Sequence, residues 1–321
     1  VQVISAPQEF NVSDLYVELG QRLYLKCEGF NFAGSIKLKA AAEMVADAER
    51  AGLLGEGSTI VESSSGNLGV ALALVAKSRG YGFVCVTDAR CTLAARQLMQ
   101  TLGATVQVIT EPHPDRGLLG ARIDRVNRLC AESERYVWLN QYANEANWGA
   151  HHRTTAREIL RDVPELDVLF IGAGTTGTLM GCARYFAEVA PHVRVVAVDT
   201  VGSVTFGHPP ARRMIPGLGT AVRPALLDES YIHDVVLVPE RDTIAACREL
   251  AGRGFLFGGS TGTVVSGARR WLAEHESAGL TAVAIAPDLG ERYLDTVYSE
   301  QWVQNVYGSE PILPELSRTS R

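Results

Sequence analysis

The sequence predicts an α/β protein with two parallel sheets, and three observations carry that prediction. Short β-rich runs alternate with helical stretches almost throughout, and strands separated by helices build parallel sheets covered on both faces. At least nine such runs occur in 321 residues, more than one compact sheet usually holds at this length. Three glycine-rich turns each follow a strand and open a helix, a position where free backbone N–H groups and the helix dipole favour an anion.

In chain order, RLYLKCE (22–28) reads as a strand and 36–51 as a helix. STIVESS (58–64) is a strand, followed by the apolar helix NLGVALALVAKSRG. YGFVCVTD is a strand, CTLAARQLMQTLG a helix and ATVQVIT a strand. A helix over 118–133, the strand YVWLNQ (136–141) and a helix over 149–160 come next. DVLFIGAG and VRVVAVDT are strands flanking a helix at 177–189. DVVLVPE, helices at 242–253 and 261–274, and the strand AVAIAPD complete the series, with 308–321 as a C-terminal tail. No internal repeat or low-complexity segment interrupts it.

Composition narrows the function. The chain is 46% hydrophobic and 21% charged, with a net charge of −6 and no block of like charge, so neither nucleic acid nor membrane is an expected partner. No apolar run approaches the roughly 18 residues of a spanning helix. The opening VQVISAPQEF lacks a basic region before an apolar core, so no signal peptide is expected. Six cysteines without a CxxC pair read as reduced thiols in a cytoplasmic protein. His151 and His152 are adjacent and so point apart on a helix, and no metal site is expected.

The turns and one lysine carry the chemistry. In ESSSGNLGVAL (62–72), Ser64, Ser65, Gly66, Asn67 and Leu68 supply hydroxyls, an amide and N–H groups suited to a carboxylate. One serine suffices for capping, so this turn has more donors than a helix start requires. In GAGTTGTLMG (172–181), Gly172, Gly174 and Gly177 form GxGxxG, and Asp199 ends the next strand about 20 residues on. That spacing leaves an NAD-linked Rossmann enzyme as a rival reading. Thr175, Thr176 and Thr178 add hydroxyls that suit a single phosphate monoester instead. In FGGSTGTVVSGA (257–268), Ser260 opens a helix. Lys37 stands at a predicted helix N-terminus, where the dipole opposes a cation. That repulsion, with burial, lowers its pKa toward that of a usable base or nucleophile. Together these features describe pyridoxal 5′-phosphate. Lys37 would take its aldehyde, Asn67 its ring hydroxyl, the turn from Gly174 to Thr178 its phosphate, and Ser260 its pyridine nitrogen.

Lys37 within GSIK, then SSSGNLG, AGTTGT and GGSTG in that order, resembles the cysteine synthase family of fold-type II PLP enzymes. The resemblance spans about Tyr24 to Trp302. NQYANEANW, VDTVGSVTFG and PDLGERYLDTVYSEQW further resemble the N-(2-amino-2-carboxyethyl)-L-glutamate synthases of staphyloferrin B biosynthesis. Relatives of these make 2,3-diaminopropionate for antibiotics such as viomycin and capreomycin. The chain departs from the family at Leu38 and Lys39, where SIKDR is usual, at Leu68, and in lacking an NTPL stretch.

The resemblance implies a small mobile domain at 35–136 and a large domain from 1–34 and 137–307, with the cofactor in the cleft between them. It implies a β-replacement joining O-phospho-L-serine and L-glutamate through an α-aminoacrylate, with Lys37 moving the Cα proton. Ser64, Ser65, Gly66, Leu68 and Gln141 would hold the substrate carboxylate. Arg122 and Tyr142 are candidates for glutamate, and Arg213 for the leaving phosphate. A homodimer and a downstream oxidase acting on the product are further implications. The alternative is a cysteine synthase using sulfide with O-phosphoserine or O-acetylserine; bulky Tyr142 and Trp148 argue for a larger nucleophile.

Overall fold

A computed structural model describes residues 3–275 and 279–308 of the chain. The expected tail lies outside these residues except for Gly308. Among them, ten strands form two sheets. The larger has the order β1 (Tyr16–Gly20), β2 (Leu23–Cys27), β10 (Ala282–Ala286), β7 (Val168–Gly172), β8 (Arg194–Thr200), β9 (Asp234–Val238). The smaller has the order β5 (Thr105–Ile109), β4 (Gly82–Asp88), β3 (Thr59–Ser63), β6 (Tyr136–Trp138).

Every neighbouring pair is parallel except β1 and β2, which form an antiparallel hairpin through Gln21 and Arg22, both at positive φ. The sequence reading missed β1. YVELG alternates too weakly to signal a buried strand, and as an edge strand it buries little. The central strands instead read as unbroken apolar runs because helices cover both faces. Val168, Leu169 and Phe170 of β7 and all five residues of β10 are buried.

The helix expected over 149–160 is two helices, α5 (Glu145–Arg153) and α6 (Thr155–Asp162). Thr154, at φ −122 and ψ −81, breaks the axis between them. The Asn144 side chain caps α5 by accepting from Ala146 N, so the helix starts four residues before the apolar pattern suggested. The helix α10 (Glu300–Tyr307), capped by Ser299, was also not anticipated.

Separate apolar clusters fill the two units. One packs α1 (Lys37–Arg50), α2 (Asn67–Arg79) and α3 (Leu93–Thr101) on the small sheet. Others flank the large sheet, with α9 (Gly259–Glu274) on one face and α7 (Gly177–Val189) on the other. All six cysteines are free, and only Cys130 is not fully buried. Among the described residues, no helix is long and apolar enough to cross a membrane.

Candidate active site

Parallel sheets place ligands at the carboxyl ends of their strands, and here both sheets turn those ends toward one cleft. Segments following β3, β4 and β6 line one wall; segments following β7, β8 and β10 line the other. The cleft has an empty volume of about 1140 Å³, part of it open to solvent. Its lining includes Lys37, Ser64, Ser65, Asn67, Leu68, Arg122, Gln141, Tyr142, Gly174, Thr175, Thr176, Gly177, Thr178, Arg213 and Ser260. Of the residues nominated to bind cofactor or substrate, Gly66 is absent from this wall and lines a small pocket; Trp148, expected to shape the pocket for a larger nucleophile, is also outside it and packs against His152 and Arg184.

Lys37 is the first residue of α1, and its side chain opens into the cleft. Burial pushes its ammonium down to about 8, with the Asp288 carboxylate acting in the opposite direction. A lysine at that value is substantially neutral near pH 8. The burial has a second consequence two residues on. Lys39, standing where the family's arginine is usual, pairs with Glu28 at 3.0 Å and Glu158 at 2.7 Å. It also donates to Thr155 Oγ1. Thr155 Oγ1 meets His151 Nδ1 at 3.1 Å, and His151 Nε2 meets Thr178 Oγ1 at 3.2 Å. Burial holds His151 well below its ordinary pKa, so it is neutral. A buried polar chain thus supports Thr178 from behind.

The threonine-rich turn opens α7. Thr176 is its cap, in the left-handed region at φ 66, and Thr176 Oγ1 is buried without a hydrogen-bond partner among the described residues. A Cβ at Gly177 would sit 2.1 Å from Asn147 Oδ1, so only glycine lets α5 approach this turn. Ser260 faces it from the first turn of α9, where the cap position belongs to Gly258, so Ser260 is not a capping serine. A Cβ at Gly217, which has φ +110, would lie 2.2 Å from Ser260 Oγ. The PGLG loop at 216–219 therefore presses on Ser260 and helps fix its hydroxyl.

The serine turn differs in detail from the sequence reading. Ser64 Oγ accepts from Gly66 N at 3.2 Å and Gly69 N at 2.9 Å, so the Gly66 N–H is not free for a carboxylate. Ser64 Oγ instead keeps its own proton to donate, and Ser65 and Leu68 face the cleft. Gln141 is fixed on three sides. Its Nε2 donates to Ser63 O at 2.6 Å, its N–H donates to Glu62 Oε2 at 3.2 Å, and its carbonyl accepts from Asn147 Nδ2 at 2.7 Å. Glu62 also accepts from Trp138 Nε1 and Ser63 N, yet burial still pushes its carboxyl up to about 7.

Arg122 lies in α4 (Gly117–Glu132) and is 3% exposed, turned into the cleft instead of solvent. Its Nε is 3.4 Å from Asp88 Oδ2, and neither Nε nor Nη1 makes a hydrogen bond among the described residues. Tyr142 stands nearby, its phenol raised by burial, with Arg122 opposing that rise. Arg213 donates through Nη1 to Leu218 O at 3.2 Å, while its Nε is buried without a partner.

Sequence reasoning missed Asp88, Arg90, Asp288 and Arg292. The first two stand in TDARC at the end of β4, a polar pair where ligands gather and the signal that was available. The last two lie within PDLGER, after β10.

Residues 10–288 match the family described as pyridoxal-phosphate dependent enzyme. The chain belongs to this family. Its cofactor is therefore pyridoxal phosphate, and it is an enzyme. Solved structures agree. O-ureido-L-serine synthase, in a lysine-to-alanine variant with O-ureido-L-serine bound, is 32% identical over 96% of each chain, with a TM-score of 0.86. A hydrogen sulfide-producing enzyme from Fusobacterium nucleatum is 29% identical over 91% of this chain and all of its own, with a TM-score of 0.85. An O-acetylserine dependent cystathionine beta-synthase from Helicobacter pylori is 26% identical over 93% of this chain and all of its own, with a TM-score of 0.84.

The residues present fit this family's cofactor. The orphaned Thr176 hydroxyl, the cradle kept open by Gly177 and the N-terminus of α7 suit a phosphate. Membership of this family overturns the NAD-linked alternative, and the geometry explains why the GxGxxG spacing misled. Asp199, the residue that would meet a ribose, is fully buried beside Ser203 and Thr205, and its Oδ1 accepts from Thr200 N at 2.8 Å.

Proposed function

We propose that this pyridoxal-phosphate dependent enzyme joins O-phospho-L-serine to L-glutamate by β-replacement, giving N-(2-amino-2-carboxyethyl)-L-glutamate and phosphate. The observation that carries the reading is Arg122: a buried guanidinium facing the cleft, ion-paired with Asp88 yet with two N–H nitrogens lacking hydrogen-bond partners among the described residues. Sulfide would not need that group, whereas a nucleophile with two carboxylates does. One neighbour is named for its dependence on O-acetylserine, a serine derivative activated at the oxygen, which supports the first half of the reading.

In this reading Lys37 would hold the cofactor's aldehyde carbon, the turn from Gly174 to Thr178 its phosphate, Asn67 its ring hydroxyl and Ser260 its pyridine nitrogen. Bound there, pyridoxal phosphate supplies an electron sink for the charge left when the Cα proton departs. A serine at the nitrogen does not hold it protonated as an aspartate would, which suits β-elimination over transamination. Ser64, Ser65 and Leu68, with Gln141, hold the first substrate's carboxylate. Lys37 Nζ, freed once the substrate's amine has replaced it at the aldehyde carbon, would take the Cα proton. The Cβ–O bond breaks with its electron pair on the phosphate oxygen. The glutamate amine, placed by Arg122 and Tyr142, forms the new bond to Cβ and loses a proton, and Lys37 returns one to Cα.

The test is a competition. Purified enzyme receives O-phospho-L-serine with equal L-glutamate and sulfide, and products are resolved by mass spectrometry. The C–N adduct is expected to dominate. Cysteine as the main product would replace this reading with the sulfide one.

A further inference from the structure

The cleft contains one cation that none of the roles above uses. Arg90 lies just past β4 and lines the wall. Asp88 fixes it: the Arg90 main-chain N–H and Nε donate to Asp88 Oδ1 at 3.0 and 3.1 Å, and Nη2 donates to Oδ2 at 2.8 Å. Asp88 is 0% exposed, and the same Oδ2 faces Arg122. One buried carboxylate thus aims two guanidiniums at the cleft. Burial opposes the charge on Arg90, but the bonds to Asp88 outweigh it and hold the group above its ordinary value. Its Nη1 makes no hydrogen bond among the described residues.

Arg213 stands on the other wall, in the connection between β8 and β9. Burial first, and then the charge of Arg90, hold Arg213 below its ordinary value. Both guanidiniums thus line one cleft, Arg90 after a strand of the small sheet and Arg213 after a strand of the large one. Asp88 pairs with Arg90 and Arg122, while Asp199 and Glu240 attract Arg213 without forming an ion pair with it among the described residues; Asp199 Oδ1 accepts from Thr200 N, and Glu240 accepts from Met214 N, Ile215 N and Tyr307 Oη. Two like charges on opposite walls, each with an N–H group unpartnered among the described residues, suit an anion between them.

We propose that Arg90 and Arg213 form a two-sided clamp for the phosphate monoester of the first substrate and for the inorganic phosphate it releases. This rests on the O-phospho-L-serine reading. A phosphate dianion has oxygens enough for the Arg90 Nη1 and Arg213 Nε hydrogens that Asp88 and Leu218 O leave over, and its charge turns the repulsion into two attractions. The O-acetyl group of O-acetylserine carries no such charge, so the clamp selects between serine derivatives that differ only at the leaving group.

The experiment is calorimetric titration of the holoenzyme with inorganic phosphate at constant ionic strength, which keeps screening fixed. Wild type is expected to bind. Arg90→Gln and Arg213→Gln should each weaken binding about tenfold or more. The double variant should weaken it less than the product of the two, because both residues grip one ion. Arg213→Gln lies outside the buried Asp88 network, so it tests the clamp even where Arg90→Gln folds poorly. Phosphate affinity within twofold of wild type in both single variants overturns the clamp, as does strict additivity. If those variants instead lose glutamate affinity, Arg90 serves the second substrate and the clamp alone fails. If wild type neither binds phosphate nor turns over O-phospho-L-serine, the substrate reading fails, and the clamp with it.

Discussion

Asn67 Nδ2 donates to Asp288 Oδ2 at 2.8 Å, tying the first residue of α2 to the segment that follows β10. The two units of the fold thus meet through a hydrogen bond at the floor of the cleft. Asn67 Oδ1 accepts from Arg292 Nη1 at 2.9 Å, so both ends of the amide are held. Tyr293 Oη donates to the same Asp288 oxygen. Burial raises the Asp288 carboxyl, and these bonds work against that rise.

Asp288→Ala should therefore destabilise the protein by more than a lost contact. It strands Asn67 Nδ2 and the Tyr293 hydroxyl, and each buried group left unpaired costs about 1–3 kcal/mol. The urea midpoint should fall clearly, and the affinity for pyridoxal phosphate should fall with it as Asn67 loses its orientation. An unchanged midpoint would remove Asp288 from the support of the site.

Lys37→Ala should eliminate turnover while leaving a folded protein. The proton transfer alone accounts for about 10²- to 10⁴-fold, and the hold on the cofactor's aldehyde is lost as well. The variant should retain pyridoxal phosphate through the threonine turn, measurable by cofactor release on denaturation. Near-normal turnover would show that another group carries the Cα proton.

The parts of the site formed by short contiguous runs were legible in the sequence. Ser64 to Leu68, Gly174 to Thr178 and Ser260 each stand where a strand hands over to a helix, and local glycine and hydroxyl patterning marks such places. The groups that orient these runs were not legible, because their partners are distant in sequence. Nothing near Asp88 announces Arg122, and nothing near Asn67 announces Asp288. Arg122 was nominated only through the family resemblance: in GARIDRVNR by itself it looks like any solvated helix arginine, and packing of α4 on the small sheet turns it inward. Asp199 fails in the opposite way. Its spacing from the glycine turn is right for a ribose, but its side chain is buried. The break at Thr154 was hidden because α5 and α6 share one continuous polar and apolar texture.

Glu62 supplies a pH test. Its carboxyl is raised in the folded state from about 4.5 to about 7, mainly by burial. Between those values the native state binds more protons than the unfolded chain, so stability falls as pH rises. The contribution of Glu62 is complete below about 4.5 and is lost as pH passes about 7. Glu62→Gln cannot titrate. Its denaturation midpoint should fall less steeply than that of wild type across this window, and parallel curves would show that Glu62 ionises normally. The same variant places an amide N–H against the Gln141 N–H, so the KM for the first substrate should rise.

Arg122 separates the two halves of the proposed reaction. Release of phosphate from O-phospho-L-serine requires Lys37, the cofactor and the carboxylate site around Ser64 and Gln141, none of which Arg122 touches. Addition of glutamate requires more, because a nucleophile with two carboxylates approaches a site that already holds an anionic substrate. Arg122 can offer two N–H groups to one of those carboxylates, a geometry lysine does not copy. Loss of such a charge-assisted contact costs about 1.5–3 kcal/mol, or about 10- to 150-fold. Arg122→Ala should thus release phosphate in a first turnover at close to the normal rate, followed by stopped flow with a phosphate sensor. Its KM for glutamate should rise by that factor. Arg122→Lys should recover only part of the loss, because the charge returns without the fork. A slowed first turnover with unchanged glutamate KM would move Arg122 to the first substrate, where its ion pair with Asp88 would make it a partner of Arg90.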